Sequence, residues 1–138
     1  MYGTLDISTS GMIAQRTRMT VIASNLANAN SLQNAHGEYD PYLRRAAMIS
    51  PGDPSARSAD GRGLGVHVSE IAVEADSLRP DYRPGSKFAD KDGYVMVPDI
   101  DPTMEWVNAM QASRAYEANV AAAETTKSMM AQALRLLA

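Results

Sequence analysis

The stretch Pro102-Thr103-Met104-Glu105-Trp106-Val107-Asn108-Ala109-Met110-Gln111-Ala112-Ser113-Arg114-Ala115-Tyr116 continues to Leu137 without a glycine or a second proline. Within it Trp106, Ala109, Ala112, Tyr116, Asn119, Ala123, Thr126, Met130, Ala133 and Leu137 follow one another in steps of three and four. That spacing lines one side of an α-helix and predicts a packing seam. Asp101 is placed to cap the helix, Pro102 suits its first position, and Glu105 lies near the positive end of the helix dipole. At 1.5 Å per residue such a helix reaches roughly 54 Å.

Outward from this stretch, the helix breakers mark the boundaries. All seven prolines lie between Pro41 and Pro102, and seven of the nine glycines lie between Gly37 and Gly93. Three segments follow: an N-terminal helix within 1–31, a Pro/Gly-rich middle over 32–101, and a C-terminal helix over 102–138. In the first, Leu5, Met12, Met19 and Leu26 recur every seven residues, with Ile22 and Ala29 three residues after Met19 and Leu26. This predicts a second seam on a helix over 4–29, roughly 39 Å long. Gly11 costs up to ~1 kcal/mol in a helix interior, so the first turns are expected to form only when packed. The fold class expected is mainly α with a small β-rich middle, its two long helices packing as a coiled-coil-like hairpin that assembles with neighbouring subunits.

In the middle, Tyr42–Ile49 and Gly65–Ala75 read as strands. The apolar phase changes between Val66/Val68 and Ile71/Val73/Ala75, which predicts a bulge near Ser69. Tyr94–Val97 reads as a short third strand, and the polar segment 50–64 as a mobile loop.

Leu, Val, Ile and Phe together supply only 24 of 138 residues, while alanine supplies 22 and methionine 9. Alanine buries little area at ~25 cal/mol per Å², so a large self-sufficient core is not expected. The net charge of −3 argues against outright disorder and for folding that partners assist. The same charge, with no run of Lys or Arg, excludes the footprint a phosphate backbone requires, so nucleic acid is not an expected partner. The absence of cysteine excludes disulfide scaffolds and thiolate metal sites. No standard secretory signal or run of about 18 apolar residues is read, so the chain is not expected to be membrane-inserted.

Catalytic, cofactor-binding and metal-ligating residues are not assigned. His36 and His67 stand apart from other ligand-type clusters and read as solvated or structural. Gly61-Arg62-Gly63-Leu64-Gly65 precedes a strand where a dinucleotide site needs a helix, and reads as a turn. Asp90-Lys91-Asp92-Gly93 imitates part of a calcium loop, but Phe88 occupies the first ligand position, so a turn is preferred.

Ser24-Asn25-Leu26-Ala27-Asn28-Ala29-Asn30 closes the first helix. Asn28 and Asn30 suit a helix stop. A second reading has Asn25 and Asn28, three apart on one face, bonding across to a neighbouring helix, with Asn25 setting register and Asn108 and Asn119 as candidate partners.

These residues carry a resemblance. Ser8-Thr9-Ser10-Gly11-Met12, Ala14-Gln15-Arg16-Thr17-Arg18-Met19 and the asparagine segment resemble the N-terminal signature of bacterial flagellar rod and hook proteins. Gly93-Tyr94-Val95-Met96-Val97-Pro98-Asp99-Ile100-Asp101, Ser113-Arg114-Ala115-Tyr116-Glu117-Ala118-Asn119 and Thr126-Lys127-Ser128-Met129-Met130 are similar to the C-terminal half of the same family. The small size matches a proximal rod protein. The resemblance implies a nonenzymatic axial subunit without cofactor, exported by the flagellar type III apparatus without a cleaved signal. It would lie in the basal body rod that spans the periplasm. Its implied partners are its own copies, other proximal and distal rod subunits and the protein joining the rod to the MS ring. The candidate assembly residues are Leu5, Met12, Met19, Ile22, Asn25, Leu26 and Asn28 with Trp106, Ala109, Ala112, Tyr116, Asn119, Ala123, Met130 and Leu137. The alternative is a helical-hairpin adaptor that binds a single partner and does not polymerise.

Overall fold

A computed structural model describes residues 2–52 and 65–137; the loop expected to be mobile thus falls largely outside the described residues. Helix α1 spans Tyr2–Ala27 and α2 spans Pro102–Leu137. Asp101 caps α2 as the sequence predicts, its Oδ1 accepting from the Thr103 N–H at 2.8 Å. At the end of α1, Asn28 Nδ2 donates to the Ser24 carbonyl at 2.9 Å, and the Asn28 N–H donates to the same carbonyl at 3.1 Å.

The helices pack antiparallel. Asn25 meets Glu105 near one end, and Gly11 faces Asn119 farther along. Carried to the start of α1, this register brings Tyr2 level with Ser128, so the last nine residues of α2 extend about 13 Å past α1.

Strand β1 (Arg45–Pro51) pairs antiparallel with β2 (Val66–Val73). Met48 stands opposite Glu70 and Ile49 opposite Val68, so Ser69 is the bulged residue, and its hydroxyl donates to the Met48 carbonyl at 3.2 Å. β1 starts and ends later than the sequence predicts, because Tyr42 and Arg44 are drawn into side-chain bonds at the end of α1 and the start of α2.

A second pair joins β3 (Leu78–Tyr82) to β4 (Tyr94–Pro98). The sequence reading missed β3, since Arg79, Pro80 and Asp81 carry little strand propensity. In a two-stranded sheet each strand is an edge, where proline is tolerated. Asp90 Oδ1 accepts from the N–H groups of Asp92 and Tyr94, and Gly93 adopts φ +84, so Asp90–Gly93 is a turn.

The core is small. Ala14, Val21 and Ile22 of α1, Val95 and Val97 of β4, Ile100, and Ala112 of α2 are its buried apolar residues among those described.

Candidate assembly interface

Helix α2 presents Ala109, Ala112, Tyr116, Asn119, Ala123, Thr126, Met130 and Ala133 as its buried or half-buried stripe, in the register the sequence predicts. Trp106 is the exception, 60% exposed. The neighbouring Glu105 takes the inward position, because its carboxylate has cationic and amide donors waiting there. Leu137 lies on α2, and its side chain is outside the described ones.

On α1 the inward stripe differs from the expected one. Ser8, Gly11, Val21, Ile22 and Asn25 are buried, whereas Leu5, Met12, Met19 and Leu26 are only half-buried. The reason is steric: a Cβ on Gly11 would fall 2.7 Å from Asn119 Oδ1, so the backbone at Gly11 is the surface that α2 approaches. A methionine seam would hold the helices farther apart.

Asn25 and Glu105 anchor a buried polar cluster at the end of the hairpin. Asn25 is fully buried and Glu105 is 1% exposed. Asn25 Nδ2 donates to the Arg45 carbonyl at 2.8 Å and to Glu105 Oε2 at 3.2 Å. Asn25 Oδ1 accepts from the Arg45 N–H at 3.0 Å and from the Tyr42 hydroxyl at 3.1 Å. Asn25 therefore bonds across to α2 through Glu105, not through Asn108 or Asn119. Arg44 completes the cluster, donating to Glu105 Oε1 from Nε at 3.0 Å and Nη2 at 2.7 Å, and to Glu74 Oε1 from Nη1 at 2.6 Å. Burial works to lower the Arg44 pKa, but hydrogen bonding and charge attraction from Glu105, then Glu74, outweigh it and raise it above its ordinary value. Arg44, Tyr42 and Glu105 were not marked for this role in the sequence, where only the isolated carboxylate in the first turn of α2 gave a signal.

The flanks of the hairpin differ. Ser10 Oγ accepts from the Val66 N–H at 3.1 Å, Thr17 borders Ile71, and the Ser24 hydroxyl bonds Tyr42, so this flank of α1 meets β2 and the segment before β1. Met12, Met19 and Leu26 each lie two residues farther on, about 200° round the helix, and face away from the sheet. On α2, Asn108 lines a groove with β1, which puts Trp106 on the flank turned away from it. One side of the hairpin is thus covered by strands, and the other carries half-buried Leu5, Met12, Met19 and Leu26 on α1 and exposed Trp106 on α2.

Among the described residues no group of three or more His, Cys, Asp or Glu is placed to hold a metal ion, and no helix is long and apolar enough to cross a membrane. His36 is exposed, with its N–H bonded to Asn34 Oδ1, and His67 Nδ1 contacts the Gly52 carbonyl.

Residues 5–31 match the family described as flagella basal body rod protein, and residues 91–136 match the C-terminal family of the flagellar basal body rod FlgEFG proteins. The two matches cover the helices that build the hairpin and the turn and strand leading into α2. The chain is a flagellar basal-body rod protein. The flagellar basal-body rod protein FlgC of Bacillus subtilis is 37% identical over 145 residues, spanning 98% of this chain and 97% of that one. Its counterparts from Salmonella typhimurium and Escherichia coli O6:H1 are 40% and 41% identical over 95% of this chain and 93% of their own lengths. The chain belongs to the FlgC family.

Proposed function

We propose that the chain is a proximal rod subunit, part of the drive shaft that carries torque from the MS ring to the distal rod and hook. It polymerises through its terminal helices with its own copies, with other proximal and distal rod subunits and with the protein joining the rod to the MS ring. The observation that carries this reading is the apolar surface the helices leave exposed, Ile13 on α1 and Met104, Trp106, Met110, Met129, Leu134 and Leu136 on α2. Alanine-rich α2 lets helices approach closely, and methionine adapts to inequivalent neighbours. Contacts between unlike faces do not close and so build a helical array. Leu5, Met12, Met19, Leu26, Trp106 and, past the start of α1, Met130 are the contact residues on this reading, while Tyr116 and Ala123 face α1. Ile22, Asn25, Ala109, Ala112 and Asn119 hold the hairpin that presents them, and Asn28 ends α1.

The chain reaches its place across the periplasm through the flagellar type III export apparatus, without cleavage of a signal. Removal of the first turns of α1 is expected to block both secretion and rod growth, and normal secretion of the truncated chain would count against this route. The assembly reading is tested by a density map of basal bodies from a strain carrying a labelled copy. Label in the proximal rod is expected. A labelled chain found only in a one-to-one complex that saturates with concentration would favour the adaptor reading instead.

A further inference from the structure

The geometry points to a carboxylate-binding site in the cleft between α1, β1 and the first turns of α2, held by Arg18 and Arg45. The cleft measures about 250 Å³ and lies directly beside the buried cluster. Its polar lining is Arg18, Arg44, Arg45, Glu105, Asn25 and Asn108.

The charges of that lining do not balance. Glu105 is its one acid, and both carboxylate oxygens are taken, Oε1 by Arg44 and Oε2 by Asn25. Arg44 is likewise engaged, by Glu105 and Glu74. Arg18 and Arg45 form no ion pair among the described residues, although Arg18 is half-buried. A charge drawn out of water is ordinarily paired, so two cations without acids in one cleft call for an anion. Arg45 is already held in place, its guanidinium carbon 5.4 Å from the centre of the Tyr42 ring, whose hydroxyl bonds Asn25. A guanidinium fork matches the two oxygens of a carboxylate, and the Asn108 amide supplies a further donor.

The rest of the lining selects the kind of anion. It is apolar, made of Val21, Ile22, Ala46, Ala47 and Ile49. Phosphate is polar on every side and would set its oxygens against these side chains. A carboxylate on a short hydrocarbon stem satisfies both parts of the lining, and a cavity of about 150 Å³ already accepts a benzene ring. Such a group comes from an acidic side chain of another polypeptide or from a small free carboxylate.

Titration of the isolated full-length chain with sodium butyrate, at an ionic strength held constant with sodium chloride, tests the site by NMR. A saturable shift of the Arg18 Nε–H and the Asn108 side-chain amide is expected. Loss of one charged hydrogen-bonding group in Arg18→Gln should weaken binding about tenfold or more. Unchanged Asn25 side-chain signals in that variant verify that the cluster is formed. No saturable shift, or equal binding by Arg18→Gln, would overturn the site, and inorganic phosphate binding as tightly as butyrate would overturn the choice of carboxylate. Carbodiimide treatment of basal bodies from an Arg18→Lys strain separates the sources, on the reading that the chain is a rod subunit. An amide link from position 18 to an Asp or Glu of another polypeptide assigns the carboxylate to a side chain, and its absence, with butyrate binding retained, assigns it to a free carboxylate. A link to Glu105 of the same chain would overturn the site. Absence of the chain from unaltered basal bodies would overturn the rod reading and leave the butyrate result standing.

Discussion

Arg44 places two of its donors on one oxygen of the Glu105 carboxylate, whose side chain retains only 2% of its accessible surface. The pair ties the segment leading into β1 to the first turn of α2, and Asn25 of α1 bonds both the carboxylate and the backbone beside Arg44. Three parts of the chain far apart in sequence are thus joined at one buried point.

Removing one member of this pair is expected to cost more than removing both. Arg44→Met leaves the Glu105 charge buried with only Asn25 for company, a loss of about 3 to 5 kcal/mol. In Arg44→Met/Glu105→Met the buried charge is gone, and most of that loss is recovered. Urea unfolding of Arg44→Met, Glu105→Met and the double variant measures the coupling; additive losses would show that the pair is not coupled. The raised pKa of Arg44 gives a stabilisation that is fully present below its ordinary value and is lost only as pH rises through the higher folded value. The Arg44 contribution is therefore constant across neutral pH.

Gly11 and Asn119 form a close helix approach. Gly11→Ala gains up to ~1 kcal/mol of helix propensity, but its methyl group falls within 3 Å of the Asn119 amide. Overpacking of this kind costs about 1 to 3 kcal/mol, so a net loss is expected. Asn119→Ala should remove the clash and turn the Gly11→Ala effect from unfavourable to favourable. Thermal unfolding of the double-mutant cycle decides the sign.

Three alanines on α2 rank the packing environments. Ala112 is fully buried, Ala123 half-buried and Ala131 exposed. Leucine is expected to be most damaging at Ala112, with a cost of about 1 to 3 kcal/mol. It should be less damaging to the isolated chain at Ala123 and nearly neutral at Ala131. Ala123 faces α1, so Ala123→Leu should still impair swimming if the strained hairpin misplaces its contacts, since ~1.4 kcal/mol per interface weakens each association step tenfold. Normal swimming of Ala123→Leu with impaired swimming of Ala131→Leu would place the contact on the Ala131 side of α2, about 80° round the helix from Ala123.

Among the described residues the last turns of α2 have no partner helix. Leu134 is 68% exposed and Leu136 is 88% exposed. A helix without tertiary cover is marginal, so amides after Met129 are expected to exchange faster than those between Glu105 and Ala123 in the isolated chain. Incorporation into basal bodies should slow them. Uniform exchange along α2 in the isolated chain would mean that the overhang is stable without cover.

The sequence by itself determined the two helices, because the Pro/Gly-free stretches and the capping residue Asp101 act locally. It also marked the bulge at Ser69, through the change of apolar phase, and the turn at Asp90–Gly93. The stripe on α2 was legible for the same reason: Ala112, Tyr116, Asn119 and Ala123 differ from their neighbours in size or polarity. Only the tertiary structure decided which side of α1 turns inward. Hydrophobic spacing favoured Met12 and Met19, but close approach is governed by the smallest residue, and Gly11 brings α2 onto the adjacent side of the helix. Trp106 moved outward and Glu105 inward for a related reason, since Arg44 and Asn25 arrive from distant segments to satisfy the carboxylate. A buried charge becomes tolerable only when its partners are assembled, and their assembly is a property of the folded chain rather than of any stretch of it.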